Sequence, residues 1–128
     1  VFEHLTYQEA KIAAKNIHLY LKKGGFARIA IPDGNHPNQD YIEWVRPGGV
    51  GDGAWDHKML YDYKSFSKIF TNQGFEVKML EYYDENRIFH HQEWSSNDGF
   101  IQRSKYNDKR NVNGKINYSS IIIDAIKI

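Results

Sequence analysis

Residues Phe26–Ile31 read FARIAI, and PDGNHP follows as far as Pro37. The run is almost continuously apolar, interrupted only by Arg28. A stretch this short and this apolar reads as a strand covered on both faces. That pattern belongs to a parallel sheet in an α/β protein, whereas a sheet with one wet face shows alternation. Pro32 and the turn-forming Asp33-Gly34-Asn35 end the strand sharply.

Upstream of this strand, Thr6-Tyr7-Gln8-Glu9 has the form of a capping box: the Thr6 hydroxyl can accept from the Glu9 N–H while the Glu9 side chain reaches back. Ala10, Ala13, Ala14, Ile17 and Leu21 follow helical spacing, so a helix is predicted over about 7 to 23. Lys22 and Lys23 complement its C-terminal dipole, and Gly24 or Gly25 supplies the stop. Downstream, residues 34–61 form a long loop with a glycine cluster from Gly48 to Gly53 and one helical turn near Tyr41–Trp44. A second helix is predicted over Tyr63–Gln73, capped by Asp62, with Phe66, Ile69 and Phe70 as its buried stripe. Gly74 ends it. Phe75, Val77 and Met79 then alternate with Glu76, Lys78 and Glu81, a strand with one wetter face. Residues 84–117 are a polar, irregular insertion apart from a short extension at Arg87–His91. The segment Tyr118–Ile128 contains the strongest β run in the chain.

Helices alternating with strands predict right-handed crossovers in a mostly parallel sheet. The last two strands have no helix between them and are expected to pair antiparallel. The expectation is therefore one α/β domain over residues 1–128, mostly parallel with an antiparallel closing strand. Composition sets further bounds. A chain of 128 residues is the size of one domain. A net charge of +1 gives no global field toward nucleic acid or membrane. The absence of cysteine excludes disulfide and thiol chemistry. No apolar run approaches the roughly 18 residues of a membrane span, and the first residues lack a signal-peptide pattern. A cytoplasmic location is expected.

The succession FEHL, helix, LKKGGFARIAIPD, HKMLYDYKSFSKIFTNQGFEV and closing β run resembles the C-terminal half of a class I S-adenosylmethionine-dependent methyltransferase, a Rossmann-like family. PDGNHP and DHKMLY resemble a bacterial branch of predicted methyltransferases. In that family a Glu-His-Leu stretch, here Glu3-His4-Leu5, ends the fourth strand. A Leu-Lys-Pro-Gly-Gly stretch leads into the fifth; Lys23 stands here in place of that Pro. Gly74-Phe75 matches the step before the sixth strand. The resemblance implies S-adenosylmethionine as the cofactor of the parent fold, methyl transfer to an unknown acceptor, and Glu3 and His4 beside the cofactor crevice. The family's Gly-rich turn and the acidic residue ending its second strand have no counterpart in this sequence, nor do its first three strands. The cofactor-binding half is thus expected upstream, and the isolated chain is expected to be inactive and to hold no cofactor tightly. With one edge of the Phe26–Ile31 strand unpaired, contact with that half or a homo-oligomer is expected.

Candidate site residues follow from position. Asp33, Asn35 and His36 come after the carboxyl end of a strand, where α/β proteins place ligands; with Tyr41, Asp56 and Lys58 they form the candidate substrate-binding set. His57 and His36 are the candidate catalytic bases, since an imidazole exchanges protons near neutrality. Each has a plainer alternative: turn chemistry for Asp33 and Asn35, a surface imidazole for His57, helix-terminus electrostatics for Glu3. Two other classes fit some of the residues. His36, His57 and His90 are metal-ligand types, although their spacing matches no ligand motif. The insertion interleaves Trp94, Phe100, Tyr106 and Tyr118 with Arg103, Lys105, Lys109 and Arg110, as a non-catalytic, nucleic-acid-binding module would, against which the near-zero net charge speaks.

Overall fold

The computed structural model describes residues 1–128. Helix α1 spans Tyr7–Tyr20, strand β1 Phe26–Ile31, helix α2 Gln39–Val45, helix α3 Tyr63–Thr71, β2 Phe75–Tyr83, β3 Phe89–His91 and β4 Ile121–Lys127. The strands form one four-stranded sheet in the order β1-β4-β2-β3. Every ladder in it is antiparallel: β1 with β4, β4 with β2, and β2 with β3. The expected mostly parallel, Rossmann-like sheet is therefore corrected. β1 and β2 do run in the same direction, since both oppose β4, but β4 inserts between them and no parallel ladder forms. The one parallel pairing is an isolated bridge between Asp33 and Tyr61 outside the sheet.

The helices begin where their caps dictate. The Thr6 hydroxyl accepts from the Glu9 N–H at 3.2 Å, and the Thr6 N–H donates to the Glu9 carboxylate at 3.0 Å. Asp62 and Ser65 repeat the device at the start of α3. Helix α1 ends earlier than its spacing predicts: Leu21 is already extended, and Gly24, at φ +84°, sits in the turn that follows. The Phe2–His4 segment, expected as the end of a strand, is a single 3₁₀ turn. The helical turn expected near Tyr41–Trp44 is α2, capped by the Asn38 side chain.

The two faces of the sheet are covered by different means. On one, α1 and α3 pack Ala10, Ala14, Phe66, Ile69 and Phe70 against Ile121, Ile123 and Ala125, with Phe2 and Phe75 closing the cluster. The other face carries Arg28, Asp124 and Glu81, and residues 92–117 fold over that part of it, while Glu76 and Lys78 at the start of β2 stay exposed. Arg28 grips Asp124 through two hydrogen bonds, at 2.7 and 2.8 Å, and its Nη1 donates to the carbonyls of Ser95 and Gly99. A bulge between Met79 and Glu81 sets Glu81 opposite Ile122. Its carboxylate there accepts from the Trp94 indole at 2.8 Å and the Lys105 N–H at 2.9 Å. Glu81 is fully buried, and burial pushes its pKa up against those two donors. β4, covered on both sides, is buried from Ile121 to Ala125. No helix is long and apolar enough to cross a membrane.

Two variants probe this architecture. Thr6→Ala removes the cap of α1 and is expected to cost about 1 kcal/mol, read as a shifted denaturant midpoint at unchanged slope. Arg28→Met strands the buried Asp124 carboxylate and is expected to cost about 3–5 kcal/mol, most of it recovered in the Arg28→Met/Asp124→Leu double variant.

Candidate functional site

The loop that follows β1 is built around one buried carboxylate. Asp33 has no exposed surface. One of its oxygens accepts from the Asn35 N–H at 2.9 Å, closing the turn; the other accepts from the Tyr83 N–H at 2.8 Å, at the end of β2. Its own N–H donates to the Tyr41 hydroxyl, which donates onward to the Ser119 carbonyl just before β4. Asp33 thus ties β1, α2, β2 and β4 together at one end of the sheet. Asn35 lies beside it and accepts from Arg87 at 2.8 Å.

His36, the second candidate base, is placed in the interior at 1% exposure. Its ring stacks on Tyr41 with centroids 4.0 Å apart and meets Tyr83 edge-on. Its Nδ1 accepts from the Asn38 N–H, so Nε2 carries the proton, and that atom has no partner. Tyr41 is buried as well, and burial raises its pKa. Both residues hold the loop from the interior, and Tyr41 forms part of the wall of a cavity of about 260 Å³ with Trp44, Arg110 and Tyr118.

The remaining candidates converge. The Glu3 carbonyl accepts from the backbone N–H groups of Lys58 and Met59, at 2.7 and 3.3 Å, which lays the end of the long loop against the N-terminal turn. His4 and His57 then meet edge to face, with centroids 4.6 Å apart and planes at 76°. His4 Nδ1 lies 3.3 Å from the Asp56 carbonyl and His57 Nδ1 2.5 Å from the Val45 carbonyl. Asp56 pairs with Lys58 at 3.1 Å, which holds its pKa below the usual carboxylate range. The Glu3 carboxylate is 3.5 Å from His4 Nε2. Five residues singled out in two distant segments, Glu3, His4, Asp56, His57 and Lys58, are thereby brought together.

Beside Glu3 and the carboxyl end of β1 lies a cavity of about 270 Å³. Ile31 and Pro32 form one wall, and Phe100, Arg103 and Tyr118 of the folded-over insertion form another. The sequence reading has Arg103 and Tyr118 in a site only in the nucleic-acid alternative and Arg87 only in a short extension, because the insertion carries no periodicity; only a fold brings them near the end of β1. A larger concavity, about 530 Å³, lies over the uncovered part of β2 and includes His90.

The structure separates the other proposed groupings. His36 is interior, while His90 lies at the surface bound to Asp84 at 2.8 Å. The one set of three side chains of ligand type with ligand atoms all within 4.8 Å of one another is Glu3, His4 and His57. In the insertion, Arg110 closes on Asp108 through two hydrogen bonds and lies 3.5 Å above the Tyr118 ring, with Arg103 also over that ring at 5.6 Å. These guanidiniums face the chain's own aromatic ring, while Phe100 and Tyr106 of the same insertion are exposed.

No cradle for a nucleotide-like cofactor is present among these residues. A Cβ built on Gly51 would stand 2.5 Å from the Trp44 carbonyl oxygen, and one on Gly49 would stand 2.5 Å from that of Glu43. Those glycines admit the chain's own backbone after α2. Gly24-Gly25 turns the chain out of α1. Neither glycine cluster therefore offers the open backbone cradle that a nucleotide-like cofactor uses. No family model matches the chain, and comparison with curated proteins and with solved structures found no match.

Burial sets two opposite titrations in the loop. Asp33 is pushed up from 3.8 to about 6 by burial, against its hydrogen bonds from Tyr83 and Asn35. His36 is pushed down from 6.5 to about 4 by burial. As the pH falls from about 6 toward 4, the fold takes a proton on Asp33 before the unfolded chain does, which adds stability. Over the same window the unfolded chain protonates His36 first, which removes stability. The two slopes offset. Relative to wild type, His36→Phe is expected to gain stability on acidification from pH 6.5 to 4, and Asp33→Asn to lose it, each by up to about 1 kcal/mol per pH unit. Denaturant melts across that range read this; differences from wild type that do not vary with pH would show that both groups titrate normally.

Proposed function

We propose that this chain carries the acceptor side of an S-adenosylmethionine-dependent methyltransferase and does not hold the cofactor by itself. The observation that supports the reading is the meeting of Glu3 and His4 with Asp56, His57 and Lys58 beside the cavity at the carboxyl end of β1. These are the segments on which the resemblance to methyltransferases rests. Methyl transfer needs little covalent chemistry from a protein: the donor's sulfonium supplies the leaving group, and the protein aligns the acceptor and, where needed, removes its proton. An acceptor in the cavity would lie between Glu3 on one side and Arg103 on the other. The proton it gives up would pass by way of Glu3, which lines the cavity, to His4, whose Nε2 lies 3.5 Å from the Glu3 carboxylate and whose ring meets that of His57. The Asp33 clamp keeps the loop rigid beneath them.

The donor site would be supplied by other residues. The outer edge of β1 pairs with no strand, so a cofactor-binding half or a second copy of the chain could extend the sheet there. Calorimetric titration of this chain alone with S-adenosylmethionine is expected to show no binding at micromolar concentration. The chain expressed together with a separately supplied cofactor-binding half of a class I methyltransferase is expected to bind the cofactor and to transfer its labelled methyl group to an acceptor in cell extract. Micromolar binding by the chain alone, or none by the combined halves, would overturn the reading.

A further inference from the structure

We propose that Glu3, His4 and His57 form a binding site for a divalent transition-metal ion of the zinc type. One ligand atom from each lies within 4.8 Å of the others, close enough for rotamer adjustment to gather them on one ion. The site goes beyond the methyl-transfer reading and stands or falls without it. With an ion bound, the metal and not a proton would occupy the imidazole lone pairs.

Orientation of the rings is the second observation. Metal-ligating imidazoles almost always donate their other ring N–H to a carbonyl or carboxylate, which fixes the tautomer and aims the free nitrogen at the ion. Both rings here have that partner. His57 Nδ1 faces the Val45 carbonyl and His4 Nδ1 the Asp56 carbonyl, with the Asp56 carboxylate 3.5 Å from the same atom. Each ring is left with Nε2 as its available lone pair. Residues 53 positions apart are set in this relation by backbone bonds, from Lys58 and Met59 to the Glu3 carbonyl, and not by the imidazoles themselves.

The third observation is the charge already on the spot. The Glu3 side chain is 14% exposed, and its carboxylate lies 3.5 Å from His4 Nε2. A negative charge thus stands in a half-enclosed place beside one of the two imidazoles. Two imidazoles and one carboxylate suit zinc, cobalt or nickel; magnesium and calcium prefer all-oxygen sets. Three protein ligands leave a coordination position open. His4 is 34% exposed, so an ion has a path in from solvent.

The test uses untagged protein, with neither cofactor nor acceptor added. Zn²⁺ is titrated calorimetrically, and Co²⁺ binding is followed by its visible absorption. One equivalent is expected to bind at micromolar or tighter affinity, with the intense absorption of a four-coordinate cobalt site. Affinity is expected to fall at least tenfold in His4→Ala, His57→Ala and Glu3→Gln, and to stay unchanged in His90→Ala, which alters a surface imidazole outside the set. Thermal melts identify any variant that fails to fold; Glu3→Gln keeps the shape of the side chain and every backbone bond, so it carries the test if the histidine variants unfold. No saturable binding to the wild type, equal binding by Glu3→Gln, or a loss confined to His90→Ala would overturn the proposal.

Discussion

The fold turns on the pairing of Arg28 with Asp124 across β1 and β4. Both side chains are nearly buried, at 7% and 10% exposure, so neither charge can stand without the other. The guanidinium has donors left after the carboxylate is satisfied, and these reach the carbonyls of Ser95 and Gly99. A strand–strand contact is thereby extended into a fastener for the insertion. Glu81 does the same from β2, through Trp94 and Lys105. These two acidic residues and one arginine convert a polar sheet face into a covered one. β4 can then be apolar on both faces although every ladder it makes is antiparallel. Without that cover, Ile122 and its neighbours would face water, at a cost of about 25 cal/mol for each Å² of apolar surface.

What the sequence made legible was local. The start of α1 followed from Thr6 and Glu9, that of α3 from Asp62, and the bounds of β1 from an apolar run closed by Pro32. These depend on neighbours a few residues apart. The order of strands depends on a partner that arrives some ninety residues later, and periodicity is silent on it. A signal was nonetheless present: an arginine alone in one apolar run and an aspartate alone in another have to find each other if both runs are buried. Arg28 opposite Asp124 is the register that results. Taken as a constraint, that pair makes β1 and β4 neighbours.

The candidate site was legible in its residue types and less so in its grouping. Glu3, His4, Asp56, His57 and Lys58 were all singled out, but as members of separate sets. The bonds to the Glu3 carbonyl, with the His4 contacts to Asp56 and His57, join them. His36 misled because Asp-Gly-Asn-His reads as an exposed turn, while α2 and β2 bury it between Tyr41 and Tyr83. Its low pKa and the high one of Asp33 have a common origin in burial at one end of the sheet. Their opposite signs let the loop hold two ionisable groups in the interior with no net proton exchanged on folding between about pH 4 and 6.

The site's geometry is borrowed from the core. Phe2 is 6% exposed and lies against Phe66 and Phe70 at centroid distances of 5.7 and 5.4 Å. It is the residue next to Glu3, in the same 3₁₀ turn. The aromatic cluster under α3 therefore fixes where Glu3 and His4 stand, while the Asp33 clamp and α2 fix the loop that brings His57. Both halves of the site are referenced to the sheet, one through packing and the other through a buried carboxylate. A single 3₁₀ turn of three residues has little backbone bonding of its own to fix it. Anchored by Phe2, it can hold two imidazoles and a carboxylate in one arrangement, which either proton transfer or metal ligation requires. Loosening Phe2 would reach the site without touching any residue in it, because the backbone carbonyl that accepts from Lys58 and Met59 belongs to the next residue along.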